Sequence, residues 1–230
     1  MDPRKVVKLA YDSIGSEFGK KRKNTWEFVV DWLEKLQLKQ TDRPLKLLIA
    51  GCGNGRHVKL ANDMGFEVFA VDISPNMISA TIQSEIENGR DGSNISVSDI
   101  CDLPFPDNEF DAIMSIAVLH HLPFDLCETA FCEFSRVSST SGDILISCWD
   151  PSAPSVVKGK RDAEQKDVVW VSWTLPDSSI VSRYYHVPEI EVRMKHWEEI
   201  KGLKCDHFEL RNFNQLFYFS KLKSPDELKH

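Results

Sequence analysis

No apolar run in this 230-residue chain approaches the roughly 20 residues that a bilayer-spanning helix requires, which excludes an integral helical membrane protein. The opening Met1-Asp2-Pro3-Arg4-Lys5 has no apolar signal region, so a cytoplasmic or nuclear protein is expected. Cysteine is scarce and unpatterned. Cys52, Cys101, Cys127, Cys132, Cys148 and Cys205 form no C-x-x-C pair and no zinc-ligand spacing, which excludes a disulfide scaffold, predicts no metal site and points to reduced thiols. Glycine and proline, 11 of each, are too few for collagen or low complexity, and no internal repeat is present. Positive charge is also in short supply: 28 basic against 35 acidic side chains leave a net charge of -7, a balance that repels a phosphate backbone unless the cations are gathered together.

They are gathered at the front. Residues 1–40 hold nine Lys or Arg against six Asp or Glu, and Lys20-Lys21-Arg22-Lys23 are consecutive. Such a run is either a solvated loop or import signal, or a phosphate-contacting patch.

The 42% hydrophobic composition belongs to a globular chain long enough to bury a large core. Helical periodicity predicts one helix near 3–18 and another over 25–38, with Thr25 as its cap. An alternation of strands and helices follows: strand 45–50, helix to about 64, strand 66–71, helix from Pro75, strands 95–98 and 110–115, helix 124–137 and strand 143–149. That rhythm argues for a doubly wound, mostly parallel α/β sheet. Residues 150–166 read as an irregular excursion, 167–173 as a strand, Pro188 as the first residue of a helix stopping at Gly202, and 204–210 with 215–220 as a closing antiparallel pair. The expected organisation is one domain over 1–230, with N-terminal helices in 1–40 and a substrate-side insertion at 150–187.

The first strand runs directly into Gly51-Cys52-Gly53-Asn54-Gly55 with a helix behind it. Glycines at alternate positions let backbone turn tightly and approach a ligand that a Cβ would exclude. No lysine follows them, which excludes a triphosphate loop, and the third glycine comes too early for the dinucleotide fingerprint. The second strand ends at Val71-Asp72, where a carboxylate can accept from both hydroxyls of a ribose.

The glycine loop, Asp72-Ile73-Ser74, Asp99-Ile100, the segment Asp102 to Asp111 and the strand Phe110 to Ser115 together resemble the class I S-adenosylmethionine-dependent methyltransferases. The resemblance implies a Rossmann-like methyltransferase sheet, mostly parallel with an antiparallel last strand, and S-adenosylmethionine as cofactor. It also implies that Asp72 holds the ribose, that Ile73 lies on the adenine and that Asp99 binds the adenine amino group with the Ile100 amide beside it. The cofactor-contacting set is then Tyr11, Gly51, Gly53, Asn54, Gly55, Asp72, Ile73, Met77, Asp99, Ile100 and Ser115. Ile49 stands where many members carry an acidic residue.

The flanks narrow the resemblance. Tyr11 to Phe18 with Arg22 and Trp26, Ser115 to His121, and Arg183-Tyr184-Tyr185-His186-Val187 are similar to the eukaryotic tRNA methyltransferases that esterify carboxymethyluridine at the wobble position. This implies tRNA as substrate, an acceptor-side set of Arg22, His120, Arg183, Tyr184 and His186, and a heterodimer with a small zinc-binding activator protein. The activator would add a strand beside 66–71 and 95–98, where Ile95, Val97 and Ile100 make an apolar edge. The core motifs alone do not distinguish acceptors, so a small-molecule methyltransferase is the alternative enzyme. A non-catalytic RNA-binding subunit with a degenerate cofactor site is the alternative that Ile49 favours. Trp26, Trp149 and Trp173 read as core residues ahead of base-stacking platforms.

Overall fold

The computed structural model describes residues 2–21, 24–40, 42–198, 200 and 202–222. A seven-stranded sheet forms its centre: β1 (Lys46–Ala50), β2 (Glu67–Asp72), β3 (Ile95–Val97), β4 (Phe110–Ile116), β5 (Ser138–Trp149), β9 (Leu203–Arg211) and β10 (Asn214–Lys221). The order is β3-β2-β1-β4-β5-β10-β9. β1 pairs parallel with β2 and β4, β2 with β3, and β4 with β5, whereas β10 runs antiparallel to both β5 and β9. The chain reverses direction across the sheet at β1, and ligands of such folds lie outside the strand ends at that switch.

Apolar residues cover both faces. One core layer joins Phe131, Phe134 and Trp197 to Ile113, Ile146 and Phe217, through α5 (Phe124–Val137) and α7 (Ile190–Trp197). The other joins Phe28, Val29, Leu33 and Leu36 of α2 (Glu27–Gln37) to Leu47, Ile49 and Met114, beside α3 (Arg56–Asp63) and α4 (Pro75–Glu87). Ile49 belongs to this second layer at 2% exposure.

Several local expectations change. Thr25 is not the cap of α2; Trp26 occupies that position without a side-chain cap bond. Pro188 precedes α7, whose cap is Glu189. The excursion after β5 is ordered into α6 (Pro154–Val157) and β6 (Lys160–Arg161), and β6 joins β7 (Val168–Thr174) and β8 (Ile180–His186) in a separate antiparallel sheet, order β6-β7-β8. This small sheet stands over the strand ends, and α1 (Pro3–Lys21), broken at Gly15 by φ 35° and ψ -117°, packs against β8 and α4.

Candidate active site

Together α1, β8 and the loops after β1, β2, β3, β4 and β5 enclose a cavity that, with its mouth, holds about 1070 Å³. The glycine loop forms its floor. The Gly51 and Cys52 amides donate to the Val71 carbonyl at 2.8 and 2.9 Å, binding the loop to the end of β2. Gly51, Gly53 and Gly55 all have positive φ, at 83°, 56° and 77°. A Cβ on Gly51 would lie 2.3 Å from Val118 Cγ2, and one on Gly55 would lie 2.7 Å from Thr81 Cγ2, so two of the three glycines answer close approach as well as conformation.

Asp72 accepts from the Gly53 amide through Oδ2 and from the Ser74 amide through Oδ1, each at 2.9 Å. A carboxylate has about four acceptor positions, so both oxygens retain capacity toward the cavity that Asp72 lines. Burial raises its pKa above the ordinary value, opposed by the two amide bonds. Asp99 accepts from the Cys101 amide at 2.9 Å and from Arg4 Nη1 of α1 at 3.1 Å. Ile73 and Ile100 stand beside these two carboxylates in the cavity wall.

The opposite half of the cavity is aromatic and cationic. Strand alternation sends Arg183 and Tyr185 of β8 to one side, and both line the cavity. Arg183 is 5% exposed, its guanidinium 5.2 Å from the ring centres of both Trp173 and Tyr185. Among the described residues no carboxylate lies within ion-pair distance of it. His121 is 4% exposed and locked between two partners. Its Nδ1 is 2.8 Å from the Tyr184 carbonyl, which only accepts, so Nδ1 carries the proton and donates. Its Nε2 therefore accepts from the Tyr11 hydroxyl at 3.0 Å. Burial holds the His121 pKa down to about 3, so the ring is neutral.

Of the residues singled out in the sequence for the cofactor, Tyr11, Gly51, Gly53, Asn54, Asp72, Ile73, Asp99 and Ile100 line the cavity. Gly55, Met77 and Ser115 stand behind it. Gly55 caps α3, Met77 is fully buried with its amide donating to Ser74 Oγ at 3.2 Å, and Ser115 Oγ donates to the Ala50 carbonyl at 2.9 Å. They shape the cradle from within the core.

The acceptor-side set divides more sharply. Arg183 lines the cavity; Arg22 lies outside the described residues. His120 does not reach the cavity: the 3-10 turn Leu119–His121 directs it inward, fully buried between His121 and Tyr185, with ring centres 4.4 and 4.5 Å away. Tyr184 and His186 fall on the other face of β8. Tyr184 packs against Trp170 with ring centres 5.8 Å apart, and His186 packs against Phe124 at 4.6 Å. His121, Tyr185, Arg4 and Arg56 are cavity residues that sequence reasoning did not assign. Trp26 and Trp149 also line the cavity, half-buried, whereas Trp173 is buried as expected of a core residue.

The cradle fits S-adenosylmethionine. Its glycine floor admits no Cβ at Gly51, Asp72 offers acceptor capacity to a ribose, and Ile73 and Ile100 offer apolar contact to an adenine beside Asp99. Residues 48–146 match the family model described as a methyltransferase domain. A protein of Pyrococcus horikoshii OT3 superposes with a TM-score of 0.69 at 22% identity, over 90% of this chain and 99% of that one. The magnesium protoporphyrin IX methyltransferase of Synechocystis PCC 6803 with bound S-adenosylhomocysteine superposes with a TM-score of 0.69 at 16% identity, over 96% of this chain and all of that one. Residues 48–146 thus form a methyltransferase domain on a class I methyltransferase fold, with S-adenosylmethionine as its cofactor.

Its sequence relatives are more specific. The tRNA (carboxymethyluridine(34)-5-O)-methyltransferases of Arabidopsis thaliana and Saccharomyces cerevisiae are 33% and 27% identical, over 64% and 84% of this chain and 33% and 64% of their own lengths. A methyltransferase-named protein of Encephalitozoon cuniculi is 29% identical over 81% of this chain and 82% of its own length. The chain thus spans less than two thirds of the plant and budding-yeast enzymes.

Proposed function

We propose that this methyltransferase esterifies the carboxylate of 5-carboxymethyluridine at the wobble position of tRNA. The observation that carries this reading is Arg183, a buried guanidinium in the cavity wall with no carboxylate partner among the described residues. A buried cation without a counter-charge is costly, and an anionic acceptor supplies what is missing. The names of the relatives support the same acceptor.

S-adenosylmethionine, when bound, supplies a methyl group on a positively charged sulfur. Transfer is an in-line displacement, so the chain's task is alignment and exclusion of water. A carboxylate acceptor is already ionised at neutral pH and needs no general base. Both nitrogens of His121 are engaged, Asp99 is paired with Arg4 and Asp72 belongs to the cradle, while the buried His57 ring, whose Nε2 has no partner among the described residues, is held down to about 3 by burial and is a weak base. Arg183 holds one acceptor oxygen and leaves the other to attack, because a clamp on both would lower its nucleophilicity.

The basic run Lys20 to Lys23 is assigned to phosphate contact, which supplies the RNA attraction that the rest of this acidic chain lacks. Charge reversal of Lys20, Lys21 and Lys23 is expected to weaken tRNA binding and flatten its salt dependence. We propose a zinc-binding activator protein as partner and the β3 edge of the sheet as its seat, a reading that the 50% exposure of Val97 on this edge strand supports. Ile95 and Ile100 are buried and do not contribute to that edge, and β2 lies inside the sheet. The deciding experiment supplies labelled cofactor to the chain, alone and with the activator, and compares bulk tRNA with a metabolite extract. Label in an alkali-labile ester on tRNA supports the reading; label confined to metabolites overturns it.

A further inference from the structure

The cavity contains more aromatic surface than a cofactor cradle uses. Trp149 closes the end of β5, and Trp26 leads into α2. Their rings meet with centres 5.9 Å apart at 77°, and the Arg56 guanidinium lies 5.8 Å from the Trp26 ring centre. Both indoles are half-buried in the cavity wall and rest on core residues behind them: Trp26 stacks on Phe28 with ring centres 5.7 Å apart at 21°, and Trp149 packs against the cluster of Val169, Val171 and Tyr185. Two aromatic planes near a right angle form a corner. A planar ring stacked on one presents its edge to the face of the other, and these are the two favourable aromatic arrangements.

We infer that Trp26 and Trp149 seat the ring of the acceptor, a single pyrimidine base turned out of its RNA strand, while Arg183 takes the carboxylate on its side chain. This rests on the acceptor reading above and extends it: recognition is divided between an aromatic corner for the ring and a guanidinium for the anion. Single-stranded RNA bases are commonly recognised by stacking on aromatic side chains, and a base acted on by an enzyme is taken out of its stack. Arg56 beside Trp26 adds positive charge near a strand that approaches the corner.

The test uses the full chain with S-adenosylhomocysteine bound, the activator included if it is required. Calorimetry measures binding of 5-carboxymethyluridine nucleoside and of acetate, a carboxylate without a ring, to wild type, Trp149→Leu, Trp149→Phe and Trp26→Leu. The leucine variants are expected to weaken nucleoside binding roughly tenfold or more, with acetate and S-adenosylhomocysteine affinities unchanged and Trp149→Phe close to wild type. The corresponding KM rise is expected on an anticodon stem-loop carrying the modified base. Nucleoside affinity unchanged in both leucine variants overturns the ring seat, as does an equal loss for acetate. If a leucine variant fails to fold, the phenylalanine variant and the wild-type preference for nucleoside over acetate decide; wild type that binds both equally overturns the proposal. Wild type that binds nucleoside through the corner but transfers no methyl to the stem-loop overturns the acceptor reading instead, so the two failures are distinguishable.

Discussion

The Tyr11 hydroxyl donates to His121 Nε2 across 3.0 Å, joining the N-terminal helix to the turn after β4. The same imidazole donates from Nδ1 to the Tyr184 carbonyl, so one neutral ring connects α1 to β8, the strand that carries Arg183 into the cavity. The Tyr11 hydroxyl also lies beside the Arg183 guanidinium. A residue assigned in the sequence to the cofactor thus supports the acceptor side as well.

Tyr11→Phe leaves the His121 Nε2 acceptor buried and unpaired, at a cost of about 1–2 kcal/mol in stability. The larger effect is expected in catalysis: acceptor KM rises several-fold while cofactor affinity stays within about twofold of wild type. Urea denaturation and steady-state kinetics check the two halves separately. A variant that loses cofactor affinity and keeps acceptor KM would return Tyr11 to the cofactor alone.

Arg183→Ala is expected to reduce methyl transfer at least a hundredfold with cofactor affinity near wild type, and Arg183→Lys to restore little. The guanidinium lies 5.2 Å from the ring centres of both Trp173 and Tyr185, and its planar, delocalised charge is not reproduced by a lysine ammonium. Calorimetry with cofactor and single-turnover transfer measure both. Normal transfer by the alanine variant removes Arg183 from the site.

Four buried histidines set the response to acid. Burial holds His57 and His121 down to about 3, His186 to about 4, and His120 well below the ordinary value of 6.5. In the unfolded chain each takes a proton near pH 6.5, while the folded protein keeps it neutral. The unfolded state therefore binds more protons below that pH, and stability is full above it. It is lost as pH falls from 6.5 toward 4, by as much as about 1.4 kcal/mol per histidine per pH unit. Urea midpoints at pH 7.5, 6.5 and 5.5 are expected to fall mainly across the last interval. His120→Leu removes one buried group that must remain neutral and is expected to make that fall shallower; an unchanged slope argues against this source.

What was legible in the sequence depended on whether one residue type answered one physical demand. Gly51, Gly53 and Gly55 marked a loop that needs positive φ, Asp72 ended one strand and Asp99 followed another by two residues, so the cofactor half was readable. The acceptor half depended on rotation, which composition does not encode. A 3-10 turn places neighbouring residues about a third of a turn apart, and that rotation puts His121 rather than His120 at the cavity. Strand alternation in β8 likewise separates Arg183 and Tyr185 from Tyr184 and His186. The motif was visible; its facing was not. The small sheet β6-β7-β8 also escaped notice because β6 is two residues long and its pairing with β7 carries no periodic signal.

The fit between Gly51 and Val118 provides the most direct test of the cradle. Gly51→Ala places a Cβ at φ 83° and 2.3 Å from Val118 Cγ2, with Cγ1 at 2.9 Å. Backbone strain and overpacking together are expected to cost about 2–5 kcal/mol and to reduce cofactor affinity more than tenfold. Gly65→Ala separates the two causes, because Gly65 has φ 88° with nothing within 4 Å of a new Cβ, so it reports strain alone. In Gly51→Ala with Val118→Ala both close γ carbons are gone, and the nearest remaining side-chain atom is Val118 Cβ at 3.2 Å. The double variant is expected to recover about 1–3 kcal/mol relative to the sum of the singles, with cofactor affinity rising in step. Thermal denaturation and cofactor calorimetry on all four proteins close the cycle. Additive effects would mean that Val118 yields freely, and that conformation rather than close approach is the reason for a glycine at position 51.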